Sequence, residues 1–217
     1  MGQRFQSVFI LPSVNMGECD GKENPNNRSE KVLIFHSQWL YGKGALNVNL
    51  QIMERLKEAI KEKEDCGQFA KTKQGYKNHF LEKDLINAIA WASVQELHRE
   101  TRFSENGGFI YSEEEGKPKE EQNSLSKILK YQDNNNGFFI CEIQENLNIK
   151  YCFISGLEDT EEHKYKTPKE YLELFYSRND LIKEGSLEAI KKVLHGFKKF
   201  IRTPKEDFKI ILKEMNQ

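Results

Sequence analysis

Ser7, Val8, Phe9, Ile10 and Leu11 follow one another without a polar interruption beyond the first residue, and Val32, Leu33, Ile34 and Phe35 do the same. Successive side chains of a strand point to opposite faces of its sheet, so a β-prone run that is apolar at every position has to be covered on both sides. Residues 5–11, closed by Pro12, and residues 32–35 are therefore expected to be central strands, with other elements on the two faces of their sheet. The chain has 217 residues, which fits one large domain with a core of its own and needs no disulfide or metal to hold it. Between the two runs, residues 13–30 are rich in Asn, Gly, Asp and Glu, lack any period and read as a long surface loop.

Helical periodicity follows. Leu46, Leu50, Met53, Leu56 and Ile60 recur at steps of three and four within residues 45–63, leaving Glu54, Arg55, Lys57, Glu58 and Lys61 on the other face. A second helix is expected over roughly 82–101, carrying Leu85, Ile86, Ile89, Ala92, Val94 and Leu97 around Trp91. Residues 104–124 combine Gly107 and Gly108 with acidic clusters around Pro118, and are expected to be a mobile insertion or the seam between two subdomains. The turn formers Asn134, Asn135, Asn136 and Gly137 introduce an expected hairpin over 138–155, in which Cys141 would face Phe153 and Glu142 would face Cys152. That alternation puts Cys141 and Cys152 on opposite faces.

The last third is punctuated twice by the same tetrapeptide, Thr167-Pro168-Lys169-Glu170 and Thr203-Pro204-Lys205-Glu206. Each offers a Thr cap, Pro at the first helical position and Glu at the third, so two helices are expected to start there. The first would carry Tyr171, Leu174 and Phe175 inward, the second Phe208, Ile211, Leu212 and Met215. Between them Ser186 can cap a helix with Leu187, Ile190, Leu194, Phe197 and Ile201 on one stripe. The fold expected from these elements is α+β: a mainly antiparallel sheet packed by two long central helices, with a C-terminal helical cluster, forming a single domain.

A formal net charge of −1 supplies no overall field that would draw a polyanion, so any such partner needs a local basic surface. The four cysteines are scattered, with no Cys-x-x-Cys and no His at zinc-ligand spacing. No apolar stretch approaches the length of a membrane span, and Gln6 stands where an N-myristoylation signal needs Ser or Thr. The cytoplasm is the expected compartment, and neither a cofactor nor a membrane partner is expected.

Three places could carry chemistry. Lys191, Lys192, Lys198, Lys199, Arg202, Lys205, Lys209 and Lys213 face only Glu206 and Asp207 over the same stretch. With an apolar stripe turned to the core, these cations point outward and could follow the phosphates of a nucleic acid or an acidic protein surface. The same residues also suit an ordinary solvated helix face. Asp133, Glu142 and Gln144, with Lys150 across the hairpin, have the spacing of a metal-dependent nuclease, in which two carboxylates hold a divalent cation, although Gln144 cannot supply a charge. His36, Trp39 and Lys43, with Gly42 and Gly44, lie at a strand-to-helix turn where backbone amides could hold a small anion or nucleotide. No Gly-x-Ser-x-Gly, His-Glu-x-x-His or full phosphate loop occurs. The expectation is a non-catalytic binding or regulatory protein acting through its basic C-terminal helices, with a metal-dependent nuclease or phosphodiesterase and a small-anion binder as alternatives.

Overall fold

Strand β1, Arg4–Asn15, lies inside a mixed sheet between β2, Arg28–Gln38, on one side and β4, Phe138–Ile143, on the other. The computed structural model describes residues 4–15, 28–38, 40–65, 84, 87–88, 101–105, 136–144, 146–155, 165–176 and 187–207. The sheet order is β3-β2-β1-β4-β5-β6, with β3 Thr101–Glu105, β5 Ile149–Ile154 and β6 Tyr165–Lys166, and a short β7, Ile201–Arg202, on the edge of β5. Four of its pairings are antiparallel, and two, β1 with β4 and β5 with β7, are parallel. The helices are α1 Gly42–Asp65, α2 Pro168–Glu173 and α3 Leu187–Gly196, and the 3-10 turn Phe197–Lys199 follows α3 directly. Mixed helix and sheet content makes the chain α+β.

Both faces of β1, β4 and β5 are covered, while the side chains of residues 32–35 lie outside the described ones. Phe5, Phe9 and Leu11 of β1 join Phe139, Cys141 and Ile143 of β4 and Tyr151 and Phe153 of β5 in one buried cluster with Leu46, Leu50, Met53 and Leu56 of α1. The alternate residues Val8, Phe138, Ile140, Cys152 and Ile154 are equally buried and stand outside that cluster, on the opposite face. The hairpin β4-β5 is thus buried on both sides, apart from the half-buried pair Glu142 and Lys150.

Several expectations are corrected. β1 does not stop at Pro12 but runs on to Asn15, and the ladder with β2 shifts register between Leu11 and Val14. Proline cannot donate to a ladder, so the strand passes it through an irregularity. The helix expected to reach Thr101 cannot do so, because Thr101–Glu105 is an edge strand on β2. Its β-branched and aromatic residues are too few to show a period. Of that helix, Asp84, Asn87 and Ala88 are described and helical, and the rest lies outside the described residues, as do 106–124 of the expected insertion. The hairpin register is displaced by two residues: Cys141 faces Tyr151 and Glu142 faces Lys150. The loop absorbs the difference through Leu147, whose φ of 62° lets the chain turn. An even displacement keeps each side chain on its face, so Cys141 and Cys152 still point apart.

Tyr171 of α2 ties three segments together. Its ring stacks on Phe153 at 4.9 Å and meets the edge of Phe5 at 5.8 Å. Its hydroxyl donates to the carbonyl of Asn136 at 2.8 Å and accepts from the amide of Gly42, while Asn136 Nδ2 donates to the Leu40 carbonyl. Burial pushes the Tyr171 phenol well above its ordinary pKa, so it stays a neutral donor. Gly42 has φ of +51°, and a Cβ there would fall 2.5 Å from the Tyr176 ring, so only glycine fits.

Candidate functional site

The basic segment begins on α3. Ile190 is buried and Val193 and Leu194 pack on the core, which leaves Glu188, Lys191, Lys192 and His195 exposed on the opposite side. The helix presses so closely on α1 that a Cβ at Gly196 would lie 2.5 Å from Leu50 Cδ2. Phe197 then enters the core, 5.1 Å from the ring of Tyr151 and 5.6 Å from that of Phe153, and Tyr151 donates to its carbonyl. Burying that ring contributes about 1.5–3 kcal/mol.

The helix was expected to continue through Ile201, and it does not. Once Phe197 is buried the chain tightens into a 3-10 turn, closed by the Phe200 amide on the Phe197 carbonyl, and Phe200 becomes extended at φ −119° and ψ 157°. Ile201 and Arg202 run parallel to β5 opposite Lys150 and Tyr151, and the Thr203 amide donates to the Tyr151 carbonyl at 2.8 Å. Ile201 is therefore 44% exposed on a sheet edge instead of buried on a helical stripe, and Leu187 at the other end is exposed too. A helix begins again at Lys205.

Lys191, Lys192, Lys198, Lys199, Arg202 and Lys205 are all exposed. They come from a helix, a 3-10 turn, an edge strand and a helix start, not from one continuous helical face. Two are engaged: Lys191 pairs with Glu188, and Lys199 reaches Glu54 of α1, each at 2.7 Å. Lys192, Lys198, Arg202 and Lys205 make no ion pair among the described residues. Arg202 lies close enough to Tyr151, Tyr165 and Glu170 to act on all three. Burial pushes Tyr151 up to about 12, and Arg202 pulls the other way. Burial raises Tyr165 as well, again opposed by Arg202.

One cation escaped the sequence reading. Lys57 of α1 holds its ammonium 5.5 Å from the centre of the Phe200 ring, on the same side of the molecule as Lys199 and Glu54. Nothing in the local pattern of α1 distinguishes Lys57 from its charged neighbours, because its partner lies far along the chain.

Among the other candidates, Glu142 is half-buried on the sheet face turned away from α1, in a row with Ile10, Lys150 and Ile201. Gln144 closes the hairpin loop, its amide on the Asn148 carbonyl and its carbonyl on the Leu147 amide. Asp133 lies outside the described residues. Among the described residues no three His, Cys, Asp or Glu side chains gather as a metal site. His36 is paired in β2 between Gln6 and Arg102, Lys43 is in the first turn of α1, and Trp39 lies outside the described residues. The Gly42 amide at that turn faces the Tyr171 hydroxyl.

The buried thiols are chemically quiet. Burial pushes Cys141 far up, and Cys152 up to about 12 despite a hydrogen bond from the Thr203 side chain, so neither forms a thiolate at neutral pH. No described helix is long and apolar enough to cross a membrane. No family model, curated protein or solved structure matches this chain.

Proposed function

We propose that this chain is an intracellular, non-catalytic binding or regulatory protein, and that it acts through the basic segment 187–207 on a polyanionic partner, a nucleic acid or an acidic protein surface. The observation that carries the reading is the set of four exposed cations, Lys192, Lys198, Arg202 and Lys205, none of which makes an ion pair among the described residues, with Arg202 near enough to Glu170 to act on it. Cations already paired inside a protein have little left to offer a phosphate, whereas these four make no ion pair among the described residues. The architecture that goes with this reading is a mainly antiparallel sheet packed by two long central helices, of which α1 is one. Four antiparallel pairings against two parallel ones support it.

Fluorescence anisotropy with labelled nucleic acid at low salt tests the proposal. Replacing Lys198, Lys199 and Arg202 together by Glu is expected to weaken binding roughly tenfold or more. Unchanged affinity in a variant that melts like the parent removes this surface from the function. Magnesium-dependent cleavage of the probe, lost in Glu142→Ala, would replace the proposal with a nuclease.

A further inference from the structure

The basic segment differs from most binding surfaces in what it leaves out. Its two phenylalanines are unavailable: Phe197 is 1% exposed among core rings, and Phe200 is half-buried with the Lys57 ammonium over its face. The segment has no Tyr or Trp. Its exposed large apolar side chains are Ile201 and, at the far end of α3, Leu187.

These absences discriminate between partners. A surface that holds a single strand gains much of its affinity from bases stacked on aromatic side chains, and this segment presents no such ring. A protein interface concentrates its energy in buried aromatic or aliphatic anchors within a polar rim, and one exposed isoleucine at a strand edge does not make that centre. What remains is charge displayed from a helix, a 3-10 turn and a strand edge, which suits a partner whose recognisable feature is a regular line of phosphates. Phosphate contacts position a duplex without reading its sequence.

Resting on the polyanion reading above, we infer that the partner of segment 187–207 is the phosphate backbone of a nucleic-acid duplex, bound without sequence preference. Lys192, Lys198, Arg202 and Lys205 provide the contacts. If all four engage, the logarithm of the association constant falls with the logarithm of salt concentration with a slope of about −3 to −4. Each lost cation lowers that slope by about one.

The experiment titrates the full chain against three labelled probes at several salt concentrations: a short mixed-sequence duplex, one of its single strands, and a polyglutamate peptide of similar charge. Tighter binding of the duplex than of the other two, unchanged when its sequence is scrambled, is the expected result, and Lys198→Glu, Arg202→Glu and Lys205→Glu combined should abolish the preference. These three residues form no ion pair among the described residues, so folding is expected to survive and is checked by thermal melting. Equal or tighter binding of the single strand or of polyglutamate overturns the duplex inference while leaving a polyanion-binding protein. Absence of binding to all three overturns both.

Discussion

The tetrapeptide Thr-Pro-Lys-Glu is held in two different ways at 167–170 and at 203–206. At the first site the match to a capping box is complete: Thr167 Oγ1 accepts from the Glu170 amide at 3.2 Å, and the Glu170 carboxylate accepts from the Thr167 amide at 2.7 Å. At the second site the Thr203 amide, which a capping box would offer to Glu206, donates to Tyr151 of β5, and the Thr203 side chain bonds Cys152. Thr203 is 6% exposed and is part of the sheet edge. The first copy starts a helix by local chemistry. The second starts one from a residue that neighbouring strands already hold, so the threonine is a half-buried cap in one copy and a buried joint in the other, and the proline is buried in the first and exposed in the second.

The widest separation between the two sites is expected four residues after each threonine, at Tyr171 and Asp207. Tyr171 anchors α2 into the aromatic cluster, and Tyr171→Ala should cost about 3–5 kcal/mol. Asp207 is exposed, and Asp207→Ala should stay within about 0.5 kcal/mol. Urea denaturation midpoints measure both, and comparable losses would erase the distinction. A smaller difference is expected at the threonines themselves. Thr203→Ala removes a buried methyl and a hydrogen bond, about 2 kcal/mol together. Thr167→Ala removes a half-buried cap, about 1 kcal/mol, so a larger loss at Thr167 would reverse the comparison.

The smallest effect is electrostatic. The Thr167 amide and then its hydroxyl hold the Glu170 carboxyl below the ordinary value of 4.5. A depressed carboxyl stabilises the fold above its unfolded pKa, and the contribution is lost as pH falls through the lower folded value. The contribution of the first cap should therefore be intact at neutral pH and fade only below about pH 4.5, and the exposure of Glu170 keeps it small. An NMR titration of the Glu170 carboxyl carbon checks this directly. A midpoint at or above the ordinary value would show that the box is not closed in solution.

How much of this was legible depends on the range of the interactions involved. The box at Thr167 needs only partners three residues apart, and it was readable. The apolar face of α1 was readable for the same reason, since Leu46, Leu50, Met53 and Leu56 each count as one turn of a periodic pattern. The hairpin was visible in its turn and its alternation, but its register was not. Two residues of slip leave the face pattern unchanged, and the positive φ of Leu147 has no marker in a leucine. The end of α3 was misread because Phe197 and Ile201 both suit a helical stripe, while the close approach of Gly196 to Leu50 involves a helix remote in sequence.

Of the candidate site, the identities and exposure of Lys191, Lys192, Lys198, Lys199, Arg202 and Lys205 could be inferred from composition and periodicity. Their state of engagement could not. Lys199 meets Glu54, a separation of 145 residues, while its neighbour Lys198 meets no described carboxylate. Lys57 joins the same region through Phe200.

By itself the sequence determined that the run 5–11 would form a strand covered on both faces inside a mixed α and β fold, that α1 would be amphipathic, and that α2 would start at Thr167. Each rests on residues within a few positions of one another, where steric preference and periodicity act directly. Only the tertiary structure decided that β1 runs parallel to β4, that the chain leaves α3 for the edge of β5, and which cations make no ion pair among the described residues. Those outcomes depend on which distant surfaces meet, and a residue cannot announce a partner that the fold has yet to bring to it.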